Sequence, residues 1–305
     1  MASDREGGSS PVSMAGKTCL ITGATAGIGE VAAREIAGLG ARLIIVGRDP
    51  SRCQTSIERI RAAHPQSRVE AMVADLGSRD GVVELAREFL RHHDRLDVLV
   101  NNAGAIFYER GLNRDGIEQT LALNHLAYFG LTCLLSGMLT QSAPSRIVNV
   151  ASGAHWLGRF DFDDPGMERN WSGYGAYARS KLANILFTRE LARRLAGTGV
   201  TANSLHPGNV ATRFGSNNAN WRGWVTRLFL RLFGVSSATG ARTVVHLASS
   251  PEVEGVTGRY FYRCAEGDLS PAAQDDKAAV RLWEISENLT GLRLGSAVAD
   301  PVGLR

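Results

Sequence analysis

The feature of this sequence that most restricts its fold is a regular alternation of short apolar runs with longer stretches of helical periodicity. The runs 43–46 and 97–100 have the composition of buried strands, and a stretch with apolar residues at helical spacing follows each of them. Strands that alternate with helices predict a parallel sheet covered by helices on both faces. We therefore expect a single doubly wound α/β domain with seven mostly parallel strands.

The expected elements account for most of the chain. Strands are predicted at about 19–21, 43–46, 69–73, 97–100, 146–150, 200–205 and 258–262. Helices are predicted at about 28–39, 51–63, 79–92, 115–140 and 174–196. We expect the polar, Gly- and Ser-rich residues 1–14 to form a flexible tail, residues 15–292 to form the folded domain, and residues 293–305 to form a second tail.

The composition argues against several classes of protein. The net charge of +4 comes almost entirely from arginine, and no dense basic run with interleaved aromatic residues indicates a nucleic-acid surface. The four cysteines are scattered without metal-type spacing, so we expect reduced thiols and no metal site. We see no apolar N-terminal segment of the signal-peptide kind and expect no stretch to span a bilayer, which favours a soluble, cytoplasmic protein.

A glycine-rich turn lies between the first predicted strand and the first predicted helix. Gly23, Gly27 and Gly29 follow one another as Gly-x-x-x-Gly-x-Gly, rather than as the Gly-x-Gly-x-x-Gly of other dinucleotide folds. Glycine permits a tight turn and close approach of a phosphate, and the helix N-terminus adds N–H groups and a positive dipole. The turn predicts a pyrophosphate site in a Rossmann-type fold, and the alternative is an ordinary glycine-rich turn.

The end of the second predicted strand indicates which dinucleotide binds. Folds that prefer NAD place an acidic residue there for the ribose 2′-hydroxyl, whereas Gly47 and Arg48 come first in this chain. Because a guanidinium pairs well with a phosphate, we predict NADP(H) rather than NAD(H). The alternative is that Arg48 is a solvated surface residue and Asp49 binds the ribose.

Tyr177 and Lys181 form the most informative pair of side chains. Residues four apart share one face of a helix, and an ammonium beside a phenol favours the phenolate and lowers the pKa of the tyrosine. Such a tyrosine is a general acid and base for an alcohol and its carbonyl partner. The pair alone occurs often by chance, so the prediction depends on Ser152 at the end of the fifth strand and on Asn124, a poor helix former inside a long helix.

Together these motifs resemble the short-chain dehydrogenase/reductase superfamily. The resemblance covers about residues 15–290 and rests on 22–29, 101–104, Ser152, Tyr177-x-x-x-Lys181 and Pro207-Gly208. Within the superfamily, the chain resembles the retinol-dehydrogenase-like branch. This resemblance rests on residues 180–184, 187–200, 204–208, 270–271, 282–284 and 286–287. The long segment between Ser152 and Tyr177 is also typical of that branch.

The resemblance implies a role for each site residue. Tyr177 would donate or accept the proton, and Lys181 would hold the nicotinamide ribose and lower the pKa of the tyrosine. Ser152 would hydrogen-bond the substrate oxygen, and Asn124 would support a water-mediated proton relay to Lys181. Asp75 would meet the adenine. The full set of expected cofactor contacts is Gly23, Thr25, Ala26, Gly27, Ile28, Gly29, Arg48, Asp75, Leu76, Asn101, Ala103, Gly104, Tyr177, Lys181, Pro207, Gly208, Val210 and Thr212.

Residues 213–236 follow the Pro207-Gly208 turn, where the superfamily usually has a lid over its substrate. Their aromatic and aliphatic side chains recur at helical spacing opposite arginines, which predicts an amphipathic basic helix. Three interpretations remain open: packing within the lid or in a homodimer, an apolar wall for a bulky substrate, or weak docking on an anionic membrane surface. We interpret His155 and His206 as pocket or structural residues.

The sequence therefore predicts an NADP(H)-dependent oxidoreductase that interconverts an alcohol and a ketone or aldehyde, with an apolar small molecule as substrate. Two alternatives remain. A reductase of carbon–carbon double bonds could use the same tyrosine and lysine. A non-catalytic NADP-sensing or scaffold protein is disfavoured because Asn124, Ser152, Tyr177 and Lys181 are all present.

Overall fold

A computed structural model of the chain describes residues 12–208 and 237–297, which contain one eight-stranded sheet. Its strands are β1 (Thr18–Thr22), β2 (Arg42–Gly47), β3 (Arg68–Val73), β4 (Val98–Asn101), β5 (Ser145–Val150), β6 (Val200–His206), β7 (Tyr260–Tyr262) and β8 (Ala265–Glu266). The spatial order is β3-β2-β1-β4-β5-β6-β7-β8, and every neighbouring pair is parallel except β7 and β8. The predicted doubly wound α/β fold is thus confirmed, with one more strand than expected because β8 is too short to show a periodicity.

Helices connect the parallel strands. The longer helices within the described residues are α1 (Gly27–Gly38), α2 (Pro50–Ala63), α3 (Arg79–His92), α4 (Gln119–Gln141), α5 (Gly173–Arg194), α6 (Ser237–Ser249) and α7 (Asp276–Thr290). Helix α4 contains a π-helical turn over Ala122–Leu126. It begins four residues later than predicted because the Glu118 carboxylate accepts the N–H groups of Thr120 and Leu121 and caps the helix there.

Strand β2 shows how the sheet separates two apolar cores. Leu43 and Ile45 lie in the core that contains Ile36 of α1 and Val244 of α6. The alternate residue Ile44 lies in the other core, which includes side chains of α3, α4, α5 and α7. Because both faces of the strand are covered, its sequence reads as a continuous apolar run rather than as an alternation.

The ends of the folded domain differ from those predicted. Met14 is buried, and its N–H donates to the Leu39 carbonyl at 2.8 Å, so ordered packing begins before residue 15. Leu292 lies in the core, and the Gly295 N–H donates to Ser136 Oγ at 3.0 Å, so packing continues past residue 292. Each of these contacts involves a single residue, so the sequence contains no periodic pattern from which it could be predicted. The lid at 213–236, together with Val210 and Thr212, lies outside the described residues.

Helix α4 corrects one expectation from the sequence. Its 23 residues are long and apolar enough to cross a bilayer, although no spanning stretch was expected. Of its most apolar window, 83% is buried inside the protein, between the sheet and the neighbouring helices. Burial on most of its faces accounts for its composition, as in other helices at the centre of a large core.

The parallel strands place several chain ends at one edge of the sheet. Thr22 of β1 pairs with Val46 next to the end of β2, and Asn101 of β4 pairs with Asn149 of β5. Val150 at the end of β5 pairs with Leu205 of β6. The segments that follow these strands therefore converge at this edge, where ligands of doubly wound sheets bind.

The C-terminal helix α7 is held against α5 by a buried tryptophan. The Trp283 ring lies 5.0 Å from the Phe129 ring and 5.8 Å from the Phe187 ring, measured between centroids. Its Nε1–H donates to Glu287 Oε1 at 2.8 Å, and the Arg194 guanidinium lies 4.4 Å from its ring centroid. Aromatic burial together with a satisfied indole N–H makes this the main apolar anchor of α7.

Replacing Trp283 with alanine should lower the free energy of unfolding by about 3–5 kcal/mol, because a large buried ring leaves a cavity. Urea unfolding followed by circular dichroism would measure the loss. Trp156 is the matched control, because 53% of it is exposed, and Trp156→Ala should cost less than about 1 kcal/mol. Equal losses for the two variants would contradict this account of how α7 is held.

Candidate active site

The glycine turn between β1 and α1 has the geometry of a phosphate site. Gly23 has a φ of +66°, a conformation that favours glycine. A Cβ on Gly29 would lie 2.4 Å from Asn102 Nδ2 and 2.5 Å from the Gly23 carbonyl oxygen, so no larger residue fits. Ala26 caps α1 without a side-chain hydrogen bond, which leaves the first N–H groups of the helix for an anion. The turn therefore fits the pyrophosphate of a dinucleotide.

Asn102 holds this turn against the end of β4 and was not among the predicted site residues. Its Nδ2 donates to the Thr22 carbonyl at 2.9 Å and to the Gly23 carbonyl at 3.2 Å. The Thr22 hydroxyl in turn accepts the N–H groups of Asn102 and Ala103. The doubled asparagine after β4 was the available signal, since a polar pair directly after a buried strand needs partners.

The end of β2 is shaped for a small residue followed by an exposed arginine. A Cβ on Gly47 would lie 2.6 Å from Thr25 Cγ2 and 2.8 Å from Cys53 Sγ, so a carboxylate side chain does not fit at that position. The Asp49 carboxylate caps α2 by accepting the N–H groups of Ser51 and Arg52. Arg48 is exposed. The acidic residue is therefore engaged with the backbone, whereas the guanidinium faces solvent.

The residues after β3 and β4 divide into exposed and buried ones. Asp75 is exposed, and its Oδ1 accepts the Gly77 N–H at 3.0 Å, while Leu76 is buried. Asn101 is fully buried, and its Nδ2 donates to Thr132 Oγ1 at 3.1 Å and to Asn149 Oδ1 at 2.9 Å. The Asn101 side chain thus joins β4 to β5 and α4 inside the protein, a structural role that the sequence did not predict.

Gly104 connects the nucleotide half of the site to the lysine. A Cβ on Gly104 would lie 3.4 Å from Lys181 Nζ and 3.2 Å from Asn124 Oδ1. Gly104 is exposed and Ala103 is half-buried, so the backbone here borders both solvent and the buried ammonium. This brings the predicted cofactor segment next to the predicted acid–base residues.

Two histidines hold the loop that begins at Ser152. His155 Nδ1 donates to the Ser152 carbonyl at 2.8 Å, since its Nε2 accepts the Ser270 N–H at 3.3 Å. His206 Nδ1 accepts the Gly153 N–H at 3.0 Å, next to Tyr262, on which it stacks. Burial lowers the pKa of both rings, that of His206 to about 4, so both are neutral near pH 7. These contacts agree with the interpretation of both histidines as pocket or structural residues.

Ser152 and Tyr177 form a hydrogen-bonded pair at the edge of the sheet. The two side chains are hydrogen-bonded to each other, and both are half-buried and therefore reachable from solvent. Burial raises the pKa of Tyr177 to about 12, and the hydrogen bond with Ser152 acts in the opposite direction. The two hydroxyl groups are adjacent and can contact one substrate oxygen together.

Lys181 is buried on the same face of α5 as Tyr177. Its Nζ donates to the Val150 carbonyl at 3.0 Å and lies 5.7 Å from the centroid of the Tyr177 ring. Burial lowers the pKa of Lys181 to about 7. The pKa of Tyr177 thus lies above its ordinary value, not below it as expected, because burial penalises the phenolate.

Asn124 lies in the π-helical turn of α4, and its side chain is fully bonded. Its Nδ2 donates to the Ala105 carbonyl and to Ser180 Oγ, and its Oδ1 accepts the Ala105 N–H. Its backbone carbonyl accepts Asn184 Nδ2 at 2.9 Å. The side chain therefore joins α4 to α5 and to the segment after β4, and the role of Asn124 in a proton relay stays a prediction.

The segment after β6 is described only at its start. Gly208 has a φ of +88°, and its N–H donates to His206 Nδ1 at 3.3 Å, while Pro207 is half-buried. Both residues lie at the same sheet edge as Ser152, since β5 and β6 are paired. Their predicted contacts with a cofactor are compatible with this position.

The low pKa of Lys181 predicts that stability depends on pH. Below the unfolded value of 10.5 and above about 7, the unfolded chain binds a proton that the folded chain does not, so stability rises with pH over this window. The rise is at most about 1.4 kcal/mol per pH unit. Lys181→Met should remove this contribution to the pH dependence of stability. The test is urea unfolding of the wild type and of Lys181→Met at about pH 7 and about pH 9.

The exposed Lys277 supplies the control, because Lys277→Met should keep the pH dependence of the wild-type chain. The interpretation of Lys181 is wrong if Lys181→Met and the wild type gain the same stability between the two pH values. Comparing the variants with each other cancels the contribution of other groups that titrate over this range.

Comparisons with known proteins agree with this geometry. A family model described as short chain dehydrogenase matches residues 17–223. Retinol dehydrogenase 14 of Homo sapiens is 44% identical over 305 residues, which covers 93% of this chain and 89% of the relative. The match to the family model spans the glycine turn, Ser152, Tyr177 and Lys181. The match to the retinol dehydrogenase covers nearly the whole chain.

Solved structures show the same fold. A crystal structure of an uncharacterised protein from Mycobacterium paratuberculosis superposes with a TM-score of 0.74 at 31% identity, covering 93% of this chain and 96% of that one. The complex of Pseudomonas aeruginosa RhlG with NADP gives a TM-score of 0.65 at 28% identity, covering 82% and 95%. The chain therefore belongs to the short-chain dehydrogenase/reductase family of oxidoreductases, in its retinol-dehydrogenase-like branch.

Proposed function

We propose that this protein interconverts an alcohol and a ketone or aldehyde, with NADP(H) as cofactor and an apolar small molecule as substrate. The observation that carries the proposal is the hydrogen-bonded pair of Ser152 and Tyr177, half-buried at the sheet edge and next to the buried Lys181. A phosphate-type turn begins at the end of β1 along the same edge. Acid–base groups beside a nucleotide site are the arrangement that hydride transfer to a carbonyl requires.

The residues of this chain handle the oxygen and its proton. When bound, the nicotinamide cofactor supplies or accepts the hydride. In reduction, the Ser152 hydroxyl donates to the carbonyl oxygen and holds it, and the Tyr177 hydroxyl gives its proton to that oxygen as charge develops there. A Tyr177 pKa of about 12 keeps the phenol protonated beforehand. Lys181, with a pKa of about 7, exchanges protons readily near neutral pH and can restore the proton of Tyr177.

Exposed apolar side chains beside the acid–base pair support an apolar substrate. Trp156, Leu157 and Tyr174 are 53%, 71% and 51% exposed, respectively. Trp156 and Leu157 lie in the turn that follows Ser152, and the Tyr174 ring lies 6.4 Å from the Tyr177 ring. Large apolar groups that face solvent beside reacting hydroxyl groups are suited to bind a hydrophobic molecule.

The exposed guanidinium at the end of β2 supports NADP(H). Arg48 is exposed, the Asp49 carboxylate is bonded to the backbone of α2, and Gly47 leaves no room for an acidic side chain. A guanidinium binds a phosphate through charge-assisted hydrogen bonds, whereas a ribose 2′-hydroxyl is better bound by a carboxylate. The arrangement therefore favours the phosphorylated dinucleotide.

Tyr177→Phe should lower turnover by about 10²–10⁴-fold, because it removes the proton donor and leaves the ring. The assay is NADPH oxidation with retinal, a medium-chain aldehyde, a bulky aromatic ketone and a steroid ketone as substrates. NADPH binding, measured by fluorescence, should remain. Retinal is included because the relative described above is named a retinol dehydrogenase.

Tyr174 gives the control for this variant, since its exposed phenol lies one helical turn before Tyr177. Tyr174→Phe should retain turnover. Full activity of Tyr177→Phe would refute the proposed proton donor. Binding of NADPH without turnover of any carbonyl by the wild type would oppose the proposed reaction and favour a double-bond reductase or a nucleotide sensor.

Arg48→Gln should lower kcat/KM for NADPH by about 10- to 100-fold and leave kcat/KM for NADH nearly unchanged, because only NADPH carries the 2′-phosphate. Steady-state kinetics with each cofactor would measure both values. Arg52→Gln removes the same charge from an exposed position in the first turn of α2 and should change neither value by more than about threefold. Equal use of NADH and NADPH by the wild type would contradict the assignment of Arg48.

A further inference from the structure

A chain of buried polar side chains runs from Lys181 to the C-terminal helix α7. Asn184, one turn after Lys181 on α5, donates from Nδ2 to the Asn124 carbonyl at 2.9 Å. The same Nδ2 lies 3.5 Å from the Val150 carbonyl, which also accepts Lys181 Nζ at 3.0 Å. Asn184 therefore donates to the Asn124 carbonyl and lies next to the carbonyl that accepts the ammonium.

The second half of the chain fixes the orientation of Asn184. His125 Nδ1 lies 3.2 Å from Asn184 Oδ1, and His125 Nε2 lies 2.9 Å from Ser286 Oγ of α7. Because Asn184 uses its amino group toward Asn124, its Oδ1 accepts, so His125 carries its proton on Nδ1. The His125 Nε2 then accepts from the Ser286 hydroxyl. Asn184, His125 and Ser286 are all fully buried.

Packing alone does not explain this choice of residues. Apolar side chains of similar shape would fill the same space without desolvating an amide, an imidazole and a hydroxyl. A polar network that is satisfied at every atom instead selects one arrangement of the elements it joins. The arrangement selected here includes the π-helical turn Ala122–Leu126, which carries both Asn124 and His125.

We propose that Asn184 is a positioning residue for Lys181 and for the Asn124 carbonyl, and that His125 and Ser286 hold it in place, so that helix α7 takes part in organising the acid–base site. The proposal deepens the proposed function and rests on it for its catalytic meaning. Asn184, His125 and Ser286 contact neither Tyr177 nor the glycine turn through any hydrogen bond described above, and they act through Lys181 and Asn124.

The effect on Lys181 has a definite sign. The Asn184 amino group competes with the ammonium for the Val150 carbonyl. Removing the amino group leaves this carbonyl to the ammonium alone, which stabilises the charged lysine, so the pKa of Lys181 should rise. Within residues 12–208 and 237–297, the ring of Tyr128 from α4, at 5.6 Å, and the ring of Tyr177, at 5.7 Å, also face Lys181.

The surroundings of His125 keep it neutral. Burial lowers its pKa to about 4, and the positive charge of Arg179 acts in the same direction, whereas the hydrogen bond to Asn184 opposes them. The Phe187 ring meets the imidazole edge-on, with 5.9 Å between centroids. His125 therefore acts as a neutral connector between α5 and α7 over the whole pH range of the test.

The chain contains only three lysines, Lys17, Lys181 and Lys277, so the ammonium can be observed directly. Lysine labelled with ¹³C at Cε gives three NMR signals, and the signal that disappears in Lys181→Met belongs to Lys181. In Asn184→Leu, which keeps the volume and removes the amide, its titration midpoint should move to higher pH by about one unit, a tenfold change in proton affinity. An unchanged midpoint in a folded Asn184→Leu protein would overturn the proposal.

Substitutions in α7 test the remote end of the network and replace Asn184→Leu if that variant does not fold. Ser286→Ala should move the Lys181 midpoint in the same direction, and Ser286→Thr, which restores the hydroxyl, should return it. Ser249→Ala is the matched control, because the hydroxyl oxygen of each serine lies 2.8 Å from the carbonyl oxygen four residues earlier in its helix. Equal midpoints in Ser286→Ala, Ser249→Ala and the wild type would refute a role for α7.

Kinetics separate this proposal from the proposed function. If the wild type reduces a carbonyl, Asn184→Leu should lower kcat and shift the pH dependence of kcat, while KM for NADPH stays within about twofold. If the wild type turns over no substrate, the proposed function fails, yet the lysine titration still decides whether Asn184 and Ser286 control Lys181. A lower kcat with an unchanged pH profile and midpoint would indicate a structural effect only and would oppose the proposal.

Discussion

The buried ammonium of Lys181 and its hydrogen bond to the Val150 carbonyl are the interaction on which the arrangement of the site depends. Removing a cation from water is costly, so the surrounding backbone and side chains must present acceptors to it. Val150 is the last residue of β5, where the ladder of strand hydrogen bonds ends and a carbonyl becomes available to a side chain. The position of the lysine is thus a consequence of where a central parallel strand ends, which links the fold to the acid–base chemistry.

Helix α5 satisfies this constraint with polar residues on its buried face. Tyr177, Lys181, Asn184 and Thr188 follow one another at helical spacing. Thr188 donates to the Asn184 carbonyl at 2.6 Å and accepts Asn149 Nδ2 at 2.9 Å, so the polar face of the helix is bonded to β5. An apolar face would attach the helix to the sheet at least as strongly, but it would leave rotation and sliding of the helix less restricted. Since the tyrosine must reach a substrate atom within hydrogen-bond distance, this restriction matters for chemistry.

Much of the fold and part of the site could be predicted from the sequence. Regular apolar runs such as 43–46 identified the buried strands, and the positions of Tyr177, Lys181 and Ser152 relative to strand ends indicated side chains that the structure brings together. The protonation of these groups could not be predicted in this way. Proximity on a helix suggested that Lys181 lowers the pKa of Tyr177, whereas the depth of burial, a tertiary property, raises it to about 12. The role of Asn101 was missed for the same reason, because its partners Thr132 and Asn149 are distant in sequence.

Helix α7 illustrates why such distant contacts can be functional. Trp283 and Ser286, three residues apart, lie on one side of the helix, where the tryptophan packs against aromatic rings of α4 and α5 and the serine bonds to His125. The apolar contacts supply the energy that docks the helix, and the single hydroxyl fixes where it docks, because a hydrogen bond to a buried imidazole tolerates little displacement. A displacement of α7 would therefore be felt first at His125 and Asn184, and through them at the Val150 carbonyl that accepts Lys181. In this way a helix remote in sequence from Ser152 and Tyr177 can influence the proton affinity of the lysine beside them.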